Sequence, residues 1–162
     1  MHLAELFRQA EIAGALLKER KETIAISESS TGGLISAALL AVPGASAYFL
    51  GGAVVYTVTA RRELLGIPDQ AMRGMRSASE PYAELAARTV REKFGTTWSI
   101  AETGATGPSG NRYGDAAGHC CIAISGPRDL VTTLETGSTD RTGNMQQFGV
   151  RAIELLIETL KA

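Results

Sequence analysis

The stretch Ala25-Ile-Ser-Glu-Ser-Ser-Thr-Gly-Gly33 decides how this chain is to be folded. It leaves a short buried strand, Thr23 to Ser27, crosses a run of hydroxyl residues and reaches two glycines. A helix is expected at once from about Thr31 to Leu40, ended by the turn Val42-Pro43-Gly44. A strand that runs through a glycine turn into a helix gathers free backbone N–H groups, and the positive end of the helix, at the carboxyl edge of a sheet. Such a place can hold a phosphate, or the oxyanion formed when a hydroxyl attacks an amide. Gly32 and Gly33 would let a ligand come close to the backbone. The plainer use of Ser29, Ser30 and Thr31 is to cap the helix, and the two uses do not exclude each other.

Outward from this unit, helices and strands alternate. Leu3, Leu6, Phe7, Ala10, Ala13, Leu16 and Leu17 fall at helical spacing over residues 3–20. Gly52 to Thr57 reads as a strand, and Thr59 to Leu65 as one or two helical turns closed by Gly66. Ser79 is placed to cap a helix reaching about Phe94, with Pro81 tolerated in its first turn. Trp98 to Thr103, His119 to Ser125 and Leu130 to Thr136 complete the strands, the last two joined by Gly126-Pro127-Arg128-Asp129. A helix from about Thr142 to Leu160 closes the chain. The pattern predicts one domain, residues 1–162, built as a three-layer α/β/α sandwich on a mixed, mostly parallel sheet of about five or six strands.

Composition narrows the function. Sixteen Lys and Arg stand against seventeen Asp and Glu, a net charge of −1, which argues against nucleic acid as a partner. The start, Met1 to Glu5, carries an acid early and has no long apolar run, so neither a signal peptide nor a membrane span is expected. A soluble cytoplasmic protein is the expectation, with a homo-oligomer left open. Cys120 and Cys121 are adjacent in a strand, so they face opposite sides and read as reduced core thiols. His119 alone does not complete a metal-ligand spacing, and no metal or cofactor is expected. A catalytic Ser–His pairing through His119 has no supporting acid that the sequence can place, and Asp115 and Asp140 read as loop carboxylates. Trp98 reads as core packing.

A second glycine-rich loop, Gly104-Ala-Thr-Gly-Pro-Ser-Gly110, again follows a strand. Open α/β sheets place ligands at such strand ends, and long loops in compact domains tend to be functional or mobile. A surface connection remains the alternative.

The order and spacing of several segments carry a resemblance. Glu28-Ser-Ser-Thr-Gly-Gly33, Val42-Pro-Gly-Ala-Ser-Ala-Tyr-Phe49, Gly51-Gly-Ala-Val-Val-Tyr56, Leu64-Leu-Gly-Ile67, Ser79-Glu-Pro81 and Thr103-Gly-Ala-Thr-Gly-Pro108 together resemble the C-terminal domain of the CinA family, over nearly the whole chain. The larger N-terminal domain of that family, similar to molybdopterin-binding proteins, is not in this sequence, so the resemblance is to the stand-alone form. It implies hydrolysis of the carboxamide of nicotinamide mononucleotide to the acid, with ammonia released and no metal needed, in pyridine nucleotide salvage. It implies Ser29 as nucleophile, with Tyr56 orienting substrate or relaying a proton. It further implies substrate contacts from Glu28, Ser30, Thr31, Gly32, Gly33, Thr103, Gly104, Gly107 and Arg141.

One departure is chemical. Where the family has a lysine able to activate a serine, this sequence has Arg61. A guanidinium stays protonated at ordinary pH and cannot be a general base. Either another group takes the proton, or the enzyme is slow, or the chain has become a nucleotide-binding protein on the same fold. Arg61 could instead clamp a phosphate or carboxylate, or be an ordinary surface charge. Arg141, near the start of the last helix, could bind a phosphate or sit in solvent.

Overall fold

A computed structural model describes residues 2–162; Met1 lies outside the described residues. The chain forms a five-stranded sheet in the order β2-β1-β3-β4-β5 with helices on both faces. The strands are β1 (Ile24–Glu28), β2 (Phe49–Val54), β3 (Trp98–Ala105), β4 (His119–Ser125) and β5 (Leu130–Glu135). The helices are α1 (Leu3–Arg20), α2 (Leu34–Leu40), α3 (Val58–Ala60), α4 (Glu80–Phe94) and α5 (Arg141–Lys161). A π-helical turn, Arg61–Leu65, continues α3.

β2, β1 and β3 run parallel, and β4 alone is reversed, because β3, β4 and β5 are joined as antiparallel neighbours. This arrangement brings chemistry to one edge. The carboxyl ends of β1, β2 and β3 lie there, as do the start of β4 and the end of β5, since His119 pairs with both Ala105 and Glu135. The loops after β1, β2 and β3 and the first turn of α5 therefore meet.

The sheet is buried on two sides. Along β4, Cys120, Ile122 and Ile124 join the larger core under α1, α2 and α5, while Cys121 and Ala123 join the smaller one under α4. The two thiols thus face opposite sides and are free. Leu6, Ala10, Ala13 and Leu17 form the buried stripe of α1, as the periodicity predicts. Trp98 is core, with its Nε1–H donating to Glu22. Truncating a residue such as Leu17 costs about 2–5 kcal/mol.

Three elements differ from expectation by two residues or more. β2 covers residues 49–54 rather than 52–57, because Tyr56 and Thr57 swing out to let Thr57 cap the next turn, its hydroxyl accepting from Ala60 N–H. β3 runs two residues past Thr103 to Ala105. α2 begins at Leu34, not Thr31, since Gly32 and Gly33 adopt φ of +65° and +108°, a left-handed turn that side chains rarely allow. Ser79 caps α4 as expected, accepting from Tyr82 N–H.

Candidate functional site

At the carboxyl edge lies a cavity of about 340 Å³. Ser29 enters it from the end of β1, Tyr56 and Arg61 from the segment after β2, and Thr103 and Gly104 from the end of β3. Its remaining wall is Ser77, Ala78 and Tyr82 before and within α4, with Asn111, Arg112 and Tyr113 from the long loop. A second cavity of about 240 Å³ shares Tyr56, Gly104 and Asn111, and adds Ser30, Gly107 and Arg141. The structure therefore brings together Ser29, Ser30, Tyr56, Arg61, Thr103, Gly104, Gly107 and Arg141 in one two-lobed cleft.

It does not bring Glu28 and Thr31 there. Glu28 is 1% exposed and its carboxylate accepts from the N–H groups of Gly33, Ile35 and Ser36 at 3.1, 3.0 and 2.8 Å. Glu102, also buried, accepts from Ser29 N–H and Thr31 N–H on Oε1, both at 2.9 Å. The expectation that amides from Thr31 to Gly33 hold an oxyanion is corrected: internal carboxylates already occupy those of Thr31 and Gly33. The capping expectation is corrected as well, because Glu28 rather than Ser29, Ser30 or Thr31 satisfies the start of α2. Gly32 and Gly33 serve the turn and do not line the cleft.

Arg61 is the unusual group. It is 7% exposed, and its Nη2 reaches only Asp69 Oδ1 at 3.4 Å, on a side chain 66% exposed. Among buried side-chain nitrogen and oxygen atoms of the described residues, Arg61 Nε is the one without a hydrogen-bond partner. A buried N–H left unpaired costs about 1–3 kcal/mol, and an exposed carboxylate at that distance returns little of it. Arg61 is thus not the surface charge weighed above. It is a guanidinium held out of water beside a cavity, a demand for an anion.

Arg141 lines the second lobe and is not a free solvent charge. Its Nη1 donates to Gly107 O at 2.5 Å, and its Nη2 lies 3.4 Å from Tyr56 Oη. It ties the β3 loop to Tyr56, which is 60% exposed at the mouth. Gly104 is required for a different reason: a Cβ there would meet His119 O at 2.5 Å across the antiparallel pair.

Sequence reasoning missed the group that steadies the long loop. Asp115, read as a loop carboxylate, receives two bonds from Arg76, at 2.6 and 3.1 Å. Burial pulls Asp115 up, but Arg76, Asn111 and His119 outweigh it and hold it below the usual carboxylate range. His119, 6% exposed, lies 2.5 Å from Glu135 through Nδ1 and 2.7 Å from Ala78 O through Nε2. Burial lowers its pKa, yet the Glu135 and Ala78 bonds and the charges of Asp115 and Glu135 prevail, so the net shift is upward. With acceptors at both ring nitrogens, the imidazolium form fits the site. His119 has Glu135 and Asp115 beside it, and it braces Ala78 in the cleft wall from behind. Tyr113, flanked by Arg76 and Arg112 at 5.2 and 5.1 Å, was likewise unmarked. The adjacent basic and aromatic residues of Asn111-Arg-Tyr-Gly114 were the available signal.

No helix of the described residues is long and apolar enough to cross a membrane, and no cluster of three or more His, Cys, Asp or Glu is placed to hold a metal.

With fold and cleft in hand, comparison defines the class: the CinA C-terminal domain family matches residues 7–160, and the chain belongs to it. A CinA-like protein of Parasynechococcus marenigrum (strain WH8102) is 37% identical over 155 residues, 94% of this chain but 37% of that protein. The chain spans about a third of the length of such curated relatives. A competence/damage inducible protein CihA from Agrobacterium tumefaciens superposes with a TM-score of 0.89 at 26% identity, covering 97% of this chain and 96% of that one. A CinA superfamily protein from Klebsiella pneumoniae 700603 gives 0.90 at 23% identity, over 96% and 98% of the two chains, a likeness of fold.

Proposed function

We propose that this domain hydrolyses the carboxamide of a pyridine mononucleotide, nicotinamide mononucleotide being the substrate, as a salvage reaction. The observation that carries the reading is the pairing, across one cavity, of a half-buried serine with a buried guanidinium whose Nε has no partner. Ser29 supplies a hydroxyl to attack the carboxamide carbon, and ammonia leaves. Arg61 takes the phosphate, the charged end of the ligand, and satisfies its Nε and both Nη groups in doing so. Tyr56, exposed at the mouth, donates to the carboxamide oxygen. A cavity near 340 Å³ falls at the lower end of the roughly 300–1,000 Å³ typical of small-molecule sites.

The test is ammonia release from nicotinamide mononucleotide by the purified protein with no metal added. Ser29→Ala should lower turnover by about 10³-fold or more. Full turnover in that variant would overturn the nucleophile assignment. The buried arginine in the family's lysine position favours a second reading, a nucleotide-binding protein without turnover. Ligand-induced thermal stabilisation with no ammonia release, and recovery of activity in Arg61→Lys, would select it.

A further inference from the structure

If a serine attacks an amide here, a group must take its proton, and Arg61 cannot. The cleft offers another path. Ser30 lines the second lobe and is 5% exposed, and behind it Glu102 is 2% exposed. Ser30 Oγ lies 2.5 Å from Glu102 Oε2. The other carboxyl oxygen, Oε1, is filled by the Ser29 and Thr31 amides and by Thr31 Oγ1 at 2.7 Å. A proton on Glu102 therefore has its place on Oε2, facing Ser30.

Thr31 narrows the choice further. Its hydroxyl lies 2.6 Å from Glu28 Oε1 as well as 2.7 Å from Glu102 Oε1, and it has a single proton to give. Two ionised carboxylates sharing one hydroxyl leave one close oxygen pair unrelieved, so the pair is eased when one carboxyl is protonated. Burial pushes Glu102 upward, against the bonds from Ser30, Thr31 and Ser29 that favour its charge. The titratable groups around it are Glu28 on β1, across Thr31, and Cys120 on β4 at 4.0 Å, whose thiol burial also pushes up. On α5, which packs against the same face of the sheet, the buried polar residues are the neutral Asn144 and Thr159.

We propose that Glu102, acting through the Ser30 hydroxyl, is the proton store of this cleft. The inference rests on the amide-hydrolysis reading. As the Ser29 oxygen bonds to the carboxamide carbon and the carbonyl pair moves onto oxygen, the Ser29 proton passes to Ser30 Oγ. Ser30's own proton passes to Glu102 Oε2. When the C–N bond breaks, the proton returns through Ser30 to the nitrogen, which leaves as ammonia. The same path serves the water that releases the acyl group from Ser29. Ser30 touches the cleft, and Glu102 is a positioning residue behind it that also holds the Ser29 and Thr31 amides.

Glu102→Gln separates the store from the scaffold, since glutamine keeps an acceptor for the two amides and a donor to Ser30. Its turnover should fall by about 10²-fold or more with little change in KM. The wild-type rate should rise with pH through the raised Glu102 value, and the variant should lose that rise. Ser30→Ala should lose turnover to a similar extent. Glu102→Gln with a wild-type rate and pH profile would overturn the relay. Infrared spectroscopy keeps this result distinct from failure of the functional reading. Wild type should show a protonated-carboxyl band, absent in Glu102→Gln, that shifts when nicotinamide mononucleotide fills the cleft and does not shift in Ser30→Ala. If no ammonia is released, that band still decides: its absence at every pH, or its indifference to ligand in wild type, would refute the proton store.

Discussion

Two loops that look alike in sequence behave in opposite ways. Residues 29–33 and 106–110 each follow a buried strand and are rich in glycine and hydroxyl groups. The first is consumed from within: Glu28 and Glu102 take its amides and leave only the Ser29 and Ser30 side chains for the cleft. The second is held from outside, by Arg141 on Gly107 and, further along, by Arg76 on Asp115, and it turns Asn111, Arg112 and Tyr113 toward the cavity. A glycine-rich strand end is thus an anion site only if no carboxylate of the chain reaches it first. In this protein the anion demand sits on a buried side chain, Arg61, instead of on the backbone.

The comparison breaks most visibly at Glu28. Glu28→Ala leaves the amides of Gly33, Ile35 and Ser36 without their acceptor, while the Thr31 hydroxyl keeps Glu102, and the expected loss is about 3 kcal/mol in a urea denaturation. A loss below about 1 kcal/mol would mean that water replaces Glu28, and that the first loop is open to a ligand after all. The second loop is sharpened by His119. Its folded value lies above 6.5, so its stabilising bonds are fully present below 6.5 and are lost as pH rises through the folded value. The protein has two histidines, and the NMR titration of His119 should have a midpoint above 6.5 that falls in Glu135→Gln. A wild-type midpoint at or below 6.5 would remove the brace. The smallest effect is expected at the rim: Arg112→Ala, an exposed side chain, should weaken mononucleotide binding about three-fold and leave stability unchanged, as calorimetry and denaturation would show.

How much of this was legible in sequence follows from the range of the interactions. The stripes of α1 and α5, the uninterrupted apolar run of β4 and the Ser79 cap are local patterns, and they appear where spacing puts them. The sandwich follows from their alternation. Ser29, Tyr56, Arg61, Thr103 and Gly104 were legible as a set because parallel strands bring their carboxyl ends together. The start of α2 was not, since it depends on a glutamate folding forward onto amides five to eight residues away. Nor were the roles of Asp115 and His119, whose partners lie 39 and 16 positions off in the chain. Arg61 could be recognised as chemically different from lysine, but its burial could not, because the wall that shields it is built from distant segments.

The central claim is that Arg61 receives the ligand's phosphate. Calorimetry of nicotinamide mononucleotide and of the riboside lacking the phosphate, on wild type and Arg61→Met, tests it most directly. The account predicts that wild type prefers the mononucleotide by about 10–100-fold, from a charge-assisted interaction near 1.5–3 kcal/mol. It also predicts that the preference disappears in Arg61→Met, while the unliganded variant is no less stable because an unpaired buried N–H is gone. An equal preference for the mononucleotide in both proteins would contradict it.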